Sequence, residues 1–203
     1  MLVRVNPGLV IKSSWRWYRS RPGETVLTVR GKGAFPPGHP TTRLCLEMLA
    51  ETALSGVRLL DVGCGSGILA LAGAAMGAIL SVGVDLSGQA VLLTRENARD
   101  NNFAAAVQVV RGSTECLHGA FQVVVANLPA TVQLAKVPEL TRLAATEAVL
   151  ILSGFRDTQE EDLAQLYRQA GWAISRRLTR DEWAIELPPE KSFTWVAWLL
   201  ERR

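Results

Sequence analysis

The sequence predicts an α/β fold in which a mostly parallel sheet is covered by helices on both faces. Three observations predict it. Apolar strand-like runs alternate with helical patterns, a glycine-rich loop joins one strand to the next helix, and two strand-like runs end the chain. The 203 residues are 48% hydrophobic and 20% charged, a composition typical of a globular domain with a sizeable core.

The alternation defines each core element in order. Strands are predicted at residues 57–61, 79–84, 106–111, 121–126 and 147–152. Helices are predicted at residues 40–54, 66–76, 87–101, 131–144 and 157–170. The last two strands, 172–180 and 193–200, are joined through a Pro-Pro pair and are expected to form an antiparallel hairpin at one sheet edge. We therefore expect one domain over residues 1–203, with its core in 34–203.

Residues 1–33 are expected to form a basic strand or hairpin extension of this core. They contain seven basic residues and one acidic residue, whereas the rest of the chain has 15 basic and 18 acidic residues. Strands are predicted at 9–17 and 25–29, with Trp15 and Trp17 packed inward on one face. The alternative is that these tryptophans and the arginines between them bind nucleic acid or an acidic partner.

The most informative segment is the loop DVGCGSG at residues 61–67, which lies between a strand and a helix of small residues. Three alternate glycines allow a tight turn and a close backbone approach to a ligand, one residue tighter than the GxGxxG loop of dinucleotide sites. An aspartate ends the next strand about 20 residues on, where a carboxylate binds ribose hydroxyls. The segment predicts a nucleoside cofactor and favours S-adenosylmethionine over a nicotinamide. The candidate cofactor residues are Asp61, Gly63, Gly65, Gly67, Asp85 and Leu86.

Two further strand ends carry candidate site residues. Ser113 follows the strand at 106–111. It is expected to lie beside the adenine of the cofactor, and the alternative is an ordinary turn residue. Asn127 and Leu128 end the apolar run at 121–126, and Pro129 makes the turn rigid. The amide and carbonyl oxygens that this turn holds in place can orient an amine toward a methyl group. Asn127 and Leu128 are therefore candidate catalytic residues. Because Ala130 cannot stack on a planar base, an aliphatic amine is the favoured acceptor.

The sequence does not favour a metal site, secretion or a membrane span. Cys45, Cys64 and Cys116 are scattered, and neither they nor the two histidines have metal-ligand spacing, so no metal site is expected. The absence of paired cysteines and of a signal peptide favours the cytoplasm. Residues 62–84 are uncharged, but six glycines interrupt them, so a membrane span is not expected.

Several strings resemble the ribosomal protein L11 methyltransferase (PrmA-like) family. The run AFPPGHPTTRLCL at 34–46 resembles the family's AFGTGxHPTTxLCL signature. The strings DVGCGSGIL at 61–69, ENA at 96–98, VVANL at 124–128, LILSG at 150–154 and EW at 182–183 resemble later blocks. The likeness covers residues from about 10 to 183 and corresponds to the catalytic domain without the family's N-terminal recognition domain.

The resemblance implies a Rossmann-like class I methyltransferase fold with seven strands. It also implies that Phe35, Thr42, Gly63, Asp85 and Asn127 contact S-adenosylmethionine. Family members methylate lysine ε-amines and an N-terminal α-amine, so a protein substrate, including a ribosomal protein, is expected. The Pro-Pro-Gly loop at 36–38 replaces the family's Gly-Thr-Gly and leaves the acceptor open. An RNA or small-amine methyltransferase, a non-catalytic cofactor-binding module and, least favoured, an NAD-dependent oxidoreductase remain alternatives. The oligomeric state is not predicted.

Overall fold

The structure is a computed structural model, and it describes residues 1–31, 38–182 and 192–203. The strands are β1 (Leu2–Asn6), β2 (Leu9–Ser13), β3 (Thr25–Val29), β4 (Arg58–Val62), β5 (Leu80–Asp85), β6 (Val107–Arg111), β7 (Phe121–Asn127), β8 (Ala144–Arg156), β9 (Trp172–Asp181) and β10 (Thr194–Arg202). The helices are α1 (Pro40–Glu51), α2 (Ile68–Ala75), α3 (Gly88–Asp100), α4 (Ala130–Leu143) and α5 (Glu160–Gln169).

Seven of the strands form the main sheet, in the order β6-β5-β4-β7-β8-β10-β9. Strands β4 to β8 pair in parallel, and β10 runs antiparallel to both β8 and β9. The predicted fold class is therefore confirmed, including the antiparallel pair at the end. The Pro-Pro connection predicted between those two strands lies outside the described residues. The carboxyl ends of the parallel strands meet at one edge, where ligands bind in α/β sheets.

Alternate side chains of the central strands pack against opposite layers. Leu59 and Val123 belong to a core with α1, α2 and α3, whereas Leu60 and Val124 belong to a core with α4 and α5. Each of these four side chains is buried, as expected for strands covered on both faces. The position of helices on both faces leaves the carboxyl edge of the sheet open for a site.

The N-terminal extension differs in detail from its prediction. It forms a separate three-stranded sheet in the order β1-β2-β3, and strand β1 was not predicted. β1 and β2 form an antiparallel hairpin, but β2 and β3 pair in parallel. Parallel strands cannot be joined by a tight turn, so residues 14–24 run back along the sheet as a long connection. This sheet packs on the α1–α2–α3 side through Leu9, Ile11, Leu27 and Val29.

The predicted inward packing of Trp15 and Trp17 is wrong. Strand β2 ends at Ser13 because Arg16 N donates to Ser13 O at 2.9 Å and closes a turn. Beyond this turn the strand alternation no longer applies. Trp15 is 76% exposed and Trp17 is 82% exposed.

The uncharged stretch at residues 62–84 forms the glycine loop, α2 and most of β5, all within the α/β core. Among the described residues, no helix has the length and apolar character needed to cross a membrane.

Candidate functional site

The glycine loop is held in place by α3. Thr94 Oγ1 donates to Gly65 O at 3.1 Å, and Asn97 Nδ2 donates to Ser66 O at 2.9 Å. Gly67 has a φ of 74°, and a Cβ there would lie 2.6 Å from Thr94 Cγ2. Gly67 is therefore needed for the packing of the loop against α3. The ENA string at 96–98 contributes to this contact through Asn97.

The two aspartates near the loop have different surroundings. Asp61 is buried, and its Oδ2 accepts a hydrogen bond from Ala70 N at 3.1 Å, in the first turn of α2. Burial raises the pKa of Asp61 to about 7, and the Ala70 hydrogen bond opposes this rise. Asp85 instead accepts from Gly65 N at 3.0 Å and from Ser87 N at 2.8 Å, at the open edge of the sheet. Asp85 therefore ties the glycine loop to the start of α3.

A cavity of about 620 Å³ opens at the carboxyl edge of β4, β5 and β7. Its polar lining includes the Asp85 side chain and Asn127, and Leu86, which is 73% exposed, lies at its surface. The volume is within the range of sites for small molecules and cofactors. The predicted site residues that line it are Gly63, Gly65, Asp85, Leu86, Ser113, Asn127 and Leu128.

The turn after β7 is fixed by a close approach of backbones. Gly154 has a φ of 98°, and a Cβ there would lie 2.4 Å from Leu128 O. The Leu128 side chain covers Gly63, where a Cβ would lie 2.5 Å from Leu128 Cδ2. Gln133 Nε2 donates to Leu128 O at 2.7 Å and to Ser153 O at 2.6 Å. The Leu128 carbonyl, expected to be an exposed acceptor, is therefore already engaged.

Asn127 presents one acceptor that is not engaged. Its Nδ2 donates to Thr42 Oγ1 at 3.4 Å, which orients the amide. Its Oδ1 is buried and has no hydrogen-bond partner among residues 1–31, 38–182 and 192–203. A buried amide oxygen without a partner costs free energy that a ligand N–H or O–H can recover. Thr42 does not line the cavity itself, but it supports Asn127, and its neighbour Thr41 lines the cavity.

One rim of the cavity is a cluster that sequence reasoning missed. His39 begins α1, where Thr41 N donates to His39 Nδ1 at 3.3 Å, and its ring packs edge-on against Trp195 at 5.0 Å. Trp195 Nε1 donates to Glu182 Oε2 at 2.6 Å, and Arg156 lies over the Trp195 ring. Burial lowers the pKa of His39, and Glu182 opposes this, so a neutral His39 can accept the Thr41 N–H.

The opposite end of the cavity is formed by Ser113 and a lysine from α4. Lys136 Nζ donates to Ser113 Oγ at 2.9 Å and is paired with Glu115. The ion pair lowers the pKa of Glu115 to about 2, so this carboxylate stays ionised. Lys136 could not be found from local pattern because it lies 23 residues after Ser113 on another element.

Three predicted cofactor residues do not line the cavity, and one is not described. Asp61 and Gly67 are the two ends of the glycine loop and hold the start of α2, and Thr42 contacts Asn127. Phe35 and the Pro36-Pro37 pair lie outside the described residues. Within the described parts of the chain, no group of three or more His, Cys, Asp or Glu residues is placed to hold a metal ion.

Known proteins similar to this chain are methyltransferases. A family model described as ribosomal protein L11 methyltransferase (PrmA) matches residues 3–187. A ribosomal protein L11 methyltransferase of Syntrophotalea carbinolica is 38% identical over 185 residues, which cover 89% of this chain and 60% of that relative. A ribosomal protein L11 methyltransferase of Moorella thermoacetica is 40% identical over 183 residues, which cover 89% of this chain and 58% of that relative. The chain thus spans about 60% of the length of these curated relatives.

Solved structures show the same fold. The ribosomal protein L11 methylase of Lactobacillus delbrueckii subsp. bulgaricus aligns with a TM-score of 0.83 at 21% identity, covering 100% of this chain and 97% of that one. The magnesium protoporphyrin IX methyltransferase of Synechocystis PCC 6803, with bound SAM, aligns with a TM-score of 0.64 at 22% identity, covering 78% and 76%. These matches show a class I methyltransferase fold.

Substitution of Gly154 by alanine is expected to destabilise the fold through contact with Leu128. Gly171 is a matched control, because its φ is 85° and a Cβ there would have no neighbour within 4 Å. Both variants carry the strain of a positive φ, and only Gly154→Ala adds the clash. We expect it to lower the free energy of unfolding by about 1–3 kcal/mol more than Gly171→Ala, measured by urea denaturation. Equal losses would show that the β8 backbone moves away freely.

Substitution of Asp61 by asparagine is expected to change how stability depends on pH. A carboxyl group with a raised pKa stabilises the fold at low pH, and that contribution is lost as pH rises toward about 7. Asparagine keeps an acceptor for Ala70 N but does not ionise. Relative to the parent chain, Asp61→Asn should gain stability between about pH 5 and pH 7, by up to about 1.4 kcal/mol per pH unit.

Urea denaturation across this pH range measures the effect. Asp162→Asn, at an exposed position on α5, is the control for the loss of a carboxyl group. A pH-independent difference for Asp61→Asn would contradict a protonated, buried Asp61.

Proposed function

This chain belongs to the ribosomal protein L11 methyltransferase family, as its sequence predicts, and we propose that it is an S-adenosylmethionine-dependent N-methyltransferase of protein amines. The acceptor is a lysine ε-amine or an N-terminal α-amine, and a ribosomal protein is the proposed substrate. Such a substrate would be methylated in the cytoplasm. Residues 34–203 are the proposed catalytic core, and residues 1–33 are its extension.

The observation that carries the proposal is Asn127 Oδ1, which is buried, has no hydrogen-bond partner in the described parts of the chain, and belongs to the same cavity as the glycine loop. The cavity fits S-adenosylmethionine because the space at Gly65 is open, where a Cβ would meet only Gly63 O at 3.9 Å, and because Asp85 supplies a carboxylate beside it. In the proposed site, Asp85 binds the ribose hydroxyls, Ser113 and Leu86 border the adenine, and Thr42 acts through Asn127. The roles predicted for Asp61 and Gly67 are reduced to support of the loop.

When bound, S-adenosylmethionine would supply a methyl group on a positively charged sulfur, so that the neutral amine forms the N–C bond as the S–C bond breaks and then releases one proton to solvent. The residues of the chain therefore need chiefly to position and desolvate the acceptor amine. Asn127 Oδ1 accepts an N–H of the amine and directs its lone pair into the cavity. Thr42 fixes the amide orientation, and Gly154 and Gln133 hold the turn that carries it. Leu128 fills the space over Gly63 and excludes water from it.

Two substitutions separate cofactor binding from transfer. We expect Asp85→Ala to weaken S-adenosylmethionine binding by at least about tenfold, because the ribose loses its carboxylate and the loop loses an acceptor. Asn127→Ala should bind the cofactor within a few-fold of the parent chain but lower kcat by about tenfold or more. Calorimetry measures the first effect and initial rates measure the second. Asp162→Asn is the control for loss of a carboxylate.

Normal cofactor binding by Asp85→Ala would contradict the proposal that Asp85 binds the ribose hydroxyls. Full activity of Asn127→Ala on the true substrate would remove the amine-positioning role. Competition by NAD in the same calorimeter would favour an oxidoreductase.

The acceptor is identified with methyl-labelled S-adenosylmethionine and an extract of the source cells. We expect the label in a ribosomal protein band that protease removes and ribonuclease leaves, and methylated lysine or a methylated N-terminus in its hydrolysate. The Asn127→Ala variant is the control for background transfer. A label removed by ribonuclease would instead show an RNA substrate. Tight cofactor binding without transfer to any fraction would show a non-catalytic module.

A further inference from the structure

Residues 14–21, with the sequence SWRWYRSR, form an exposed segment that the proposed reaction does not use. We name it the Trp–Arg segment. Neither Trp15 nor Trp17 has a ring or cation contact within the described residues, and they are 76% and 82% exposed. Two tryptophans so exposed on one short segment are unusual, because large aromatic side chains normally bury most of their surface.

The segment also contains three cations without an anionic partner. Arg16, Arg19 and Arg21 make no ion pair among the residues that the structure describes, whereas seven of the other 15 arginines do. Unpaired guanidinium groups beside exposed indole rings attract an anionic partner and can bind phosphate oxygens.

The segment is held in shape by a network at its far end. Glu24 accepts hydrogen bonds from Arg4 Nη1 at 2.7 Å, Tyr18 Oη at 2.7 Å and Arg21 N at 2.9 Å. Arg4 Nη2 also donates to Tyr18 Oη at 2.9 Å. The Arg21 N–H and the neighbouring groups lower the pKa of Glu24 to about 2, so it stays ionised. A connection tied at Tyr18 and Arg21 loses less conformational entropy on binding than a free loop.

The segment begins close to the cavity. Ser13, its preceding residue, donates its backbone N–H to Met1 O at 3.0 Å. The Met1 side chain lies beside Gly38, where a Cβ would be 3.5 Å from Met1 Cγ. Gly38 precedes His39, which lines the cavity. These contacts connect the start of the segment to the rim of the cavity.

From these observations we propose that the Trp–Arg segment is a docking surface for single-stranded nucleic acid. The indole rings stack on unpaired bases, and the arginines bind the phosphates between them. A protein partner would need a larger apolar area to cover, and here Arg16 separates the two tryptophans. The proposal extends beyond methyl transfer, and binding is measured without S-adenosylmethionine, so its outcome is independent of the proposed catalytic function.

Fluorescence anisotropy with a labelled, mixed-sequence single-stranded RNA of about 12 nucleotides tests the proposal, a length within the range of about 4–16 nucleotides that one OB-fold contacts. We expect the parent chain to bind, and the double variant Trp15→Ala/Trp17→Ala to bind at least about tenfold more weakly. The matched control Ile79→Ala/Leu92→Ala removes two other exposed apolar side chains, 64% and 60% exposed, and should bind like the parent. Circular dichroism and thermal unfolding confirm that each variant is folded.

A second variant tests the arginines separately. Arg16→Gln/Arg19→Gln/Arg21→Gln should reduce the slope of log affinity against log salt by about 2, because each phosphate contact on a single strand contributes about 0.7. Its control, Arg99→Gln/Arg168→Gln/Arg203→Gln, removes the same charge at other exposed positions and should leave the slope nearly unchanged.

Three outcomes would overturn the proposal. The first is the absence of RNA binding by the parent chain. The second is equal binding by the tryptophan variant and its control, which would show only general attraction of charge. The third is tighter binding of poly-glutamate than of RNA, with the same dependence on Trp15 and Trp17, which would show an acidic polypeptide as the partner.

Discussion

The close approach of β8 to the turn after β7 is the constraint on which the site depends. At Gly154 the two backbones are so close that a Cβ would lie 2.4 Å from Leu128 O. This approach fixes Leu128, whose side chain in turn covers Gly63 of the glycine loop at the end of β4. Asn127 and the glycine loop are thereby held at a fixed separation across one cavity. Two glycines far apart in sequence, Gly63 and Gly154, thus set the distance between the glycine loop and the Asn127 amide.

The two aspartates at this edge of the sheet lie in different places: Asp61 is buried, and Asp85 lines the cavity. Asp61 is buried behind the loop, where its raised pKa reduces the cost of placing a carboxyl group in the core. Asp85 faces the cavity and uses its oxygens to hold the loop amide and the start of α3. The same residue type at the ends of neighbouring strands therefore stabilises the fold in one case and shapes the site in the other. Their sequence positions alone do not distinguish these roles.

The sequence pattern predicted those elements that depend on residues close together in the chain. The alternation of apolar strands and helices predicted the main sheet, and seven residues predicted for the site from the glycine loop and the strand ends line the cavity. Gly154, Lys136 and Trp195 were missed because each reaches the cavity through strand pairing or helix packing. The parallel pairing of β2 with β3 was missed for the same reason. The alternation at residues 9–17 predicted one longer strand, but a turn at Ser13 ends β2.

The N-terminal sheet and the cavity are joined at Asn97 of α3. Its amide accepts from Arg30 N at 3.0 Å and donates to Arg30 O at 3.0 Å, just after β3, while it also donates to Ser66 O. The extension is therefore attached to the glycine loop through a buried polar network rather than by apolar contact alone. The exposed Trp–Arg segment lies outside this network, so its residues can vary without disturbing the loop. The proposed docking surface can therefore change while the glycine loop stays fixed.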